Sequence, residues 1–240
     1  MSAVSSISTG DDFAALINPS DGYINLRLDD SLVPTVYSQA VNISLAELSF
    51  SADSRVANIS RALDMAGFGL ERHVLHGSDP RHFSGIINLL DGDLMLSQSL
   101  RLLSIDGDIS LIVKIKEIIR SSLVMHSNLS EFLYDLRKID YDDLVKLSSL
   151  LEFSFNLPLW LSGNLRTRFK DFRAIISLAC AIKSLHLILR IYRLCEFKKR
   201  DNILLARSRL VELREKARRH SLALGEGKAF RKYISMLGKN

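Results

Sequence analysis

The chain has 240 residues, 47% of them apolar and 25% charged, with 4 Pro, 1 Trp and 2 Cys, which supports a substantial core in one large domain or two small ones. Two cysteines, Cys180 and Cys195, exclude a disulfide framework and fit a reducing compartment, cytoplasmic or nuclear. The net charge of +5 conceals an asymmetry: residues 165–240 hold 20 Lys and Arg against 6 Asp and Glu, and residues 1–164 hold 12 against 21.

Residues 1–21 are rich in Ser and Gly without periodicity, and read as a mobile arm. The start, MSAVSSISTGDDF, lacks the basic end and apolar run of a secretory signal. Gly10, Asp11 and Asp12 spell the triplet with which RNA polymerases hold metal ions, but a polar terminus makes it a chance match. Residues 22–155 read as an acidic body. Ile24, Leu26 and Leu28 alternate with Asn25 and Arg27. Val41, Ile43 and Leu45 do the same, with Leu48 and Phe50 resuming after a phase change. Period two predicts strands, so a small β element is expected near the N-terminus.

Helical spacing then takes over. Val56, Ile59, Leu63 and Ala66 follow Asp53 or Ser54 as N-cap, and Gly67 and Gly69 are expected to end that helix. His73, His76, Asp79 and His82 fall in a predicted polar loop over 70–82; with Gly77 and Pro80 among them and no cysteine nearby, they make an incomplete metal set. Asp91-Gly92-Asp93 and Asp106-Gly107-Asp108 read as turns, and they lack the oxygen ligands of a calcium loop. Asp108 is placed to cap a helix from Ile109 to Leu123, with Ile112, Ile115 and Ile119 on its apolar side. Further helices are predicted over Leu129–Ile139 and Tyr141–Phe153, the second with Asp140 and Asp143 as a capping box. Asp135, Asp140, Asp142 and Asp143 form either a solvated acidic face or a dock for the basic residues downstream.

Residues 156–164 read as a packed joint, where Pro158 and Gly163 interrupt helix and Trp160 anchors two halves. Residues 165–240 form the basic helical lobe. Phe172–Phe197 reads as one long helix with a broad apolar surface, on which Lys183, His186, Arg190 and Arg193 advance by 3, 4 and 3 residues into one basic seam. Those groups also argue against a membrane span over Ala174–Leu194, since each costs several kcal/mol in lipid. Asp201 or Asn202 is expected to cap the next helix, whose apolar face is marked by Ile203, Leu210, Leu213 and Leu224. Gly225-Glu226-Gly227-Lys228 lacks the Ser or Thr and the preceding strand of a phosphate-binding loop, and reads as helix punctuation. Lys228–Leu237 sets Phe230, Ile234 and Leu237 against Lys228, Arg231 and Lys232.

The expected fold is therefore mainly α, of α+β type, with a small N-terminal β element, a multi-helix body and a basic C-terminal helical lobe. Arginine outnumbers lysine in that lobe by 12 to 8, and its planar fork suits phosphate oxygens. The residues expected to meet a polyanion are Lys183, Arg190, Arg193, Lys198, Lys199, Arg200, Arg207, Arg209, Arg214, Lys216, Arg218, Arg219, Arg231 and Lys232. With no zinc-finger or RRM-type pattern, this predicts nucleic-acid binding without sequence readout, RNA favoured, in a packaging or assembly protein such as a viral nucleocapsid or matrix component. A homo-oligomer suits that role. The same cations also fit an anionic membrane surface. Lys198–Arg200 followed by Arg214–Arg219 matches a two-part nuclear-import signal, and so suggests an imported adaptor. Ser78, His76 and Asp79 are too close in one loop for a catalytic triad; no enzymatic centre, cofactor or metal is expected.

Overall fold

The computed structural model describes residues 36–48, 53–78, 83–105, 108–127, 129–162, 169–194, 200–223, 230, 232–234 and 237. They are almost entirely helical and contain no strand. In chain order the helices are α1 (Val36–Leu48), α2 (Ser54–Ser78), α3 (Phe83–Ile105), α4 (Ile109–Ser127), α5 (Leu129–Tyr134), α6 (Tyr141–Leu147), α7 (Ser149–Ser162), α8 (Phe169–Leu194) and α9 (Arg200–Ala223), with a 3-10 turn over Leu136–Lys138.

The expected β element is corrected here. Tyr23–Leu28 lies outside the described residues, and Val41–Leu45 belongs to α1. Tyr37, Ala40, Val41, Ser44 and Leu45 are all buried, an i, i+3, i+4, i+7, i+8 set that only a helix puts on one face. Over five residues the alternation of Val41, Ile43 and Leu45 fits either period, and packing of α1 on α2 and α7 decides it.

Glycines that were expected to stop helices instead bring them together. α2 runs through Gly67 and Gly69 to Ser78, so the predicted loop from 70 is helical as far as 78. Gly92, expected in a turn, lies inside α3. A Cβ on Gly92 would sit 3.0 Å from the Gly69 carbonyl oxygen, and one on Gly69 would sit 2.9 Å from that of Gly92. The α2–α3 pair crosses at this contact and is the most extensive in the fold. Ser99 Oγ adds a bond to the Ala62 carbonyl at 2.7 Å.

The caps expected at Asp108 and Asp140 are present. Asp108 accepts from the Leu111 amide at 3.0 Å, and its other oxygen takes Arg55 from the start of α2. Asp140 accepts from the Asp143 amide at 2.7 Å while Asp143 accepts from the Asp140 amide at 3.3 Å, a complete capping box on α6. The helix expected over Leu129–Ile139 is broken at Asp135, whose side chain caps the 3-10 turn instead. α6 ends at Leu147, and α7 starts after Ser148 and carries Pro158 inside it. An interior proline costs about 3 kcal/mol. Phe155 and Leu157, fully buried beside it, offset that cost.

Helices from both sides of the charge reversal share one core within a compact unit, Thr35–Asn240. α8 runs through it with Ile175, Ala179, Cys180, Ile182, Leu185 and Ile188 fully buried. Phe172–Arg193 is long and apolar enough to cross a membrane, yet 72% of its most apolar stretch is buried against other helices. Phe230 stacks on Phe155 at 5.5 Å and on Phe172 at 5.3 Å, and Tyr233 meets Phe155 edge-on. The Tyr233 hydroxyl donates to the Val36 carbonyl at 2.9 Å, tying the C-terminal segment to α1.

Candidate nucleic-acid interface

The basic seam of α8 exists, but most of it faces inward partners. The Lys183 ammonium binds Glu71 of α2, and Arg190 stands 3.7 Å from the second Glu71 oxygen. Glu71 keeps only 13% of its side-chain exposure and Lys183 17%, so this is a buried pair with a third, half-exposed cation beside it. Burial works against the Glu71 carboxylate, and the two cations outweigh it, so its pKa lies below the ordinary value. Nothing in the sequence marks Glu71 as their partner, because it is 112 residues from Lys183.

His186 is also occupied. Its Nε2 lies 3.1 Å from an Arg214 guanidinium nitrogen, which carries only protons to donate, so the imidazole accepts and is neutral. Burial, then the cations of Arg214, Lys183 and Arg193, push its pKa down to about 4. His73, from the expected metal set, faces Asp93 across the α2–α3 pair at 3.2 Å. Asp79 and His82 lie outside the described residues.

α9 separates its arginines into two kinds. Its inner face is Asn202, Ala206, Leu210, Ala217 and Ser221. Asn202, expected as a cap, is buried instead, and its amide donates to the Leu133 and Tyr134 carbonyls at 3.1 and 3.2 Å. Arg209 donates to the Leu136 and Ile139 carbonyls at 3.1 and 2.9 Å, the first of which otherwise takes only the long 3.4 Å bond from the Ile139 amide. The basic lobe thus docks on peptide carbonyls of the Asp-rich segment; Asp135 itself pairs with Arg137.

The outer face carries a different pattern. Arg200, Leu204, Arg207, Val211, Arg218 and Leu222 follow one another by 4, 3, 4, 7 and 4 residues, so they share one stripe, and all are exposed. Between Arg200 and Arg218 it extends roughly 27 Å along the axis. Glu215 receives Arg218 at 2.9 Å and Arg219 at 3.1 Å, which lowers its pKa to about 2. Lys216 lies 6.0 Å from the Tyr141 ring centre, and Arg193 is exposed where α8 ends. Lys232 is exposed on the C-terminal segment, while Lys198, Lys199 and Arg231 lie outside the described residues. Leu204, Val211 and Leu222, at 53%, 67% and 49% exposure, were passed over in the sequence; their spacing from the arginines was the available signal.

A buried histidine gives the bundle a pH response. Both ring nitrogens of His126 are closed off from water, without a well-formed hydrogen bond. Burial lowers its pKa to about 4, against the opposing pull of the Leu147 backbone and the Glu71 carboxylate, and with a smaller push from His73. The unfolded chain, at about 6.5, then takes up the proton first as pH falls. Stability should be complete above pH 6.5 and decline toward pH 4, by up to about 3 kcal/mol for this group. His186 acts in the same direction, more weakly because its ring is partly solvated. Urea midpoints at pH 7 and pH 4.5 test this: His126→Asn should reduce the difference, and an undiminished difference would refute the assignment.

What these residues define is a helical bundle whose outermost helix presents a cationic and apolar stripe to solvent. Comparison with protein-family models, curated proteins and solved structures found no match.

Proposed function

We propose that the chain is a non-enzymatic, nucleic-acid-binding protein of packaging or assembly type, RNA favoured, that contacts phosphates without reading sequence. The observation that carries this reading is the outer stripe of α9, where Arg200 and Arg207 are exposed and Arg218 is exposed but bridged to Glu215, while Arg209 and Arg214 serve internal bonds. Exposed guanidinium groups supply charge-assisted bonds to phosphate oxygens and release counterions on binding. A rigid row on one helix positions a backbone and offers no base-edge recognition.

Titration of single-stranded RNA over salt, read by gel shift, tests it. On single strands each phosphate contact contributes about −0.7 to the slope of log K against log salt. Replacing Arg200 and Arg207 by Gln should therefore make the slope shallower by about 1.4 and weaken binding at low salt. Affinity that ignores salt, or ignores the double substitution, would overturn the reading.

One observation favours a second reading, an anionic membrane surface: Leu204, Val211 and Leu222 alternate with the arginines, as on helices that lie in a lipid interface. Vesicles with and without phosphatidylserine separate the two. Leu204→Ser with Val211→Ser should abolish vesicle binding if lipid is the partner, and leave RNA binding intact if RNA is.

A further inference from the structure

The outer face of α3 is a second surface, and two opposite charges on it stand symmetrically about one position. Leu90, Leu94, Ser97, Arg101 and Ile105 follow by 4, 3, 4 and 4 residues and share a stripe. The opposite face is committed to α2 through Gly92, Ser99 and Leu103. On the stripe Leu90, Leu94 and Ile105 are 57%, 41% and 65% exposed, and Leu100, 39% exposed, lies to one side of it.

The charges on this face are arranged about Ser97. Asp93 stands four residues before it and Arg101 four after; Leu94 stands three before and Leu100 three after. Two copies of α3 laid antiparallel with a two-fold axis at Ser97 therefore place Asp93 of each at the level of Arg101 of the other, close enough to the contact line to pair. A parallel pairing sets Asp93 against Asp93 and Arg101 against Arg101, which is repulsive. Ser97 is small, and its hydroxyl is already bonded to the Asp93 carbonyl at 2.8 Å, so the axis admits close approach without an unpaired polar group.

We infer that the outer face of α3 is an isologous interface for a second copy of this chain, antiparallel about Ser97. The surface is self-complementary in charge, as a two-fold contact requires, and its exposed leucines and isoleucine supply apolar area to bury. A single helix pair of roughly 22 Å between Leu90 and Ile105 is at the small end of specific interfaces, so association in the micromolar range is expected. This inference depends only on α3 and stands whether or not α9 binds RNA.

Sedimentation of the nuclease-treated full chain, from about 1 µM to several hundred µM, tests it. The expected result is a monomer–dimer equilibrium. Asp93→Arg and Arg101→Asp should each weaken it at least tenfold, and the double exchange should restore it to within a few fold. Asp93 also touches His73; should Asp93→Arg unfold, Arg101→Asp and Ser97→Cys decide. The Ser97→Cys protein should oxidise to a disulfide dimer across the axis while the parent does not. A monomer at every concentration, an oligomer indifferent to these charges, or no crosslink at residue 97 would each overturn the assignment.

Discussion

Replacing Glu71 by alanine is expected to cost about 3–5 kcal/mol, on the order of a 10 °C loss in Tm for a chain of this size. The reason is the state of what remains. Lys183 keeps only 17% exposure, so without Glu71 its ammonium is desolvated with no carboxylate to face. Arg190, at 42% exposure, turns to water more cheaply. Most of the loss should therefore trace to Lys183. Substituting both members of the pair, Glu71→Met with Lys183→Leu, removes the stranded charge and should recover most of the stability. Thermal melts of the single and double variants check this; a double variant as unstable as Glu71→Ala would defeat the account. The folded double variant also tests function. Lys183 is turned toward Glu71, so RNA affinity should be unchanged without it, whereas loss of Arg207 should weaken binding. Equal losses would return Lys183 to the interface.

The helices that were legible in the sequence share a feature: their start signals are local. Asp108 and the Asp140–Asp143 box work within four residues, so reading the residues in order finds them. What was not legible depends on residues far apart in the chain. Gly67, Gly69 and Gly92 look identical whether a glycine ends a helix or lets another helix approach, and only the partner distinguishes the two. Pro158 is tolerated because its flanking side chains are buried, which is a tertiary fact. The candidate site divides in the same way. The stripes on α8 and α9 follow from helical period alone. Which cations are held inside follows from Glu71, from carbonyls at Leu136 and Ile139, and from His186, none of which is near them in sequence. Charge counting therefore located the cation-rich helices, while overstating how many of their cations face outward.

The sharpest test of how the bundle closes is at Gly67, where substitution should change sign with its background. A Cβ there would lie 2.0 Å from Cε2 and 2.3 Å from Cζ of Tyr37. Tyr37 is 8% exposed on α1, so its ring has no free space to move into. Gly67→Ala must therefore push α1 away from α2, at about 3 kcal/mol, the upper end for an overpacked core. Tyr37→Ala alone should cost about 3–5 kcal/mol through the cavity it leaves. With the ring gone, the added methyl enters empty space, and alanine is the better helix residue by about 1 kcal/mol. In the Tyr37→Ala background Gly67→Ala should thus be neutral or stabilising, giving a coupling of roughly 3–4 kcal/mol between two residues 30 apart. Urea unfolding of the four proteins in this cycle measures it. Equal penalties for Gly67→Ala in both backgrounds would mean that the glycine serves the backbone of α2 and that the packing of α1 against it has been misread.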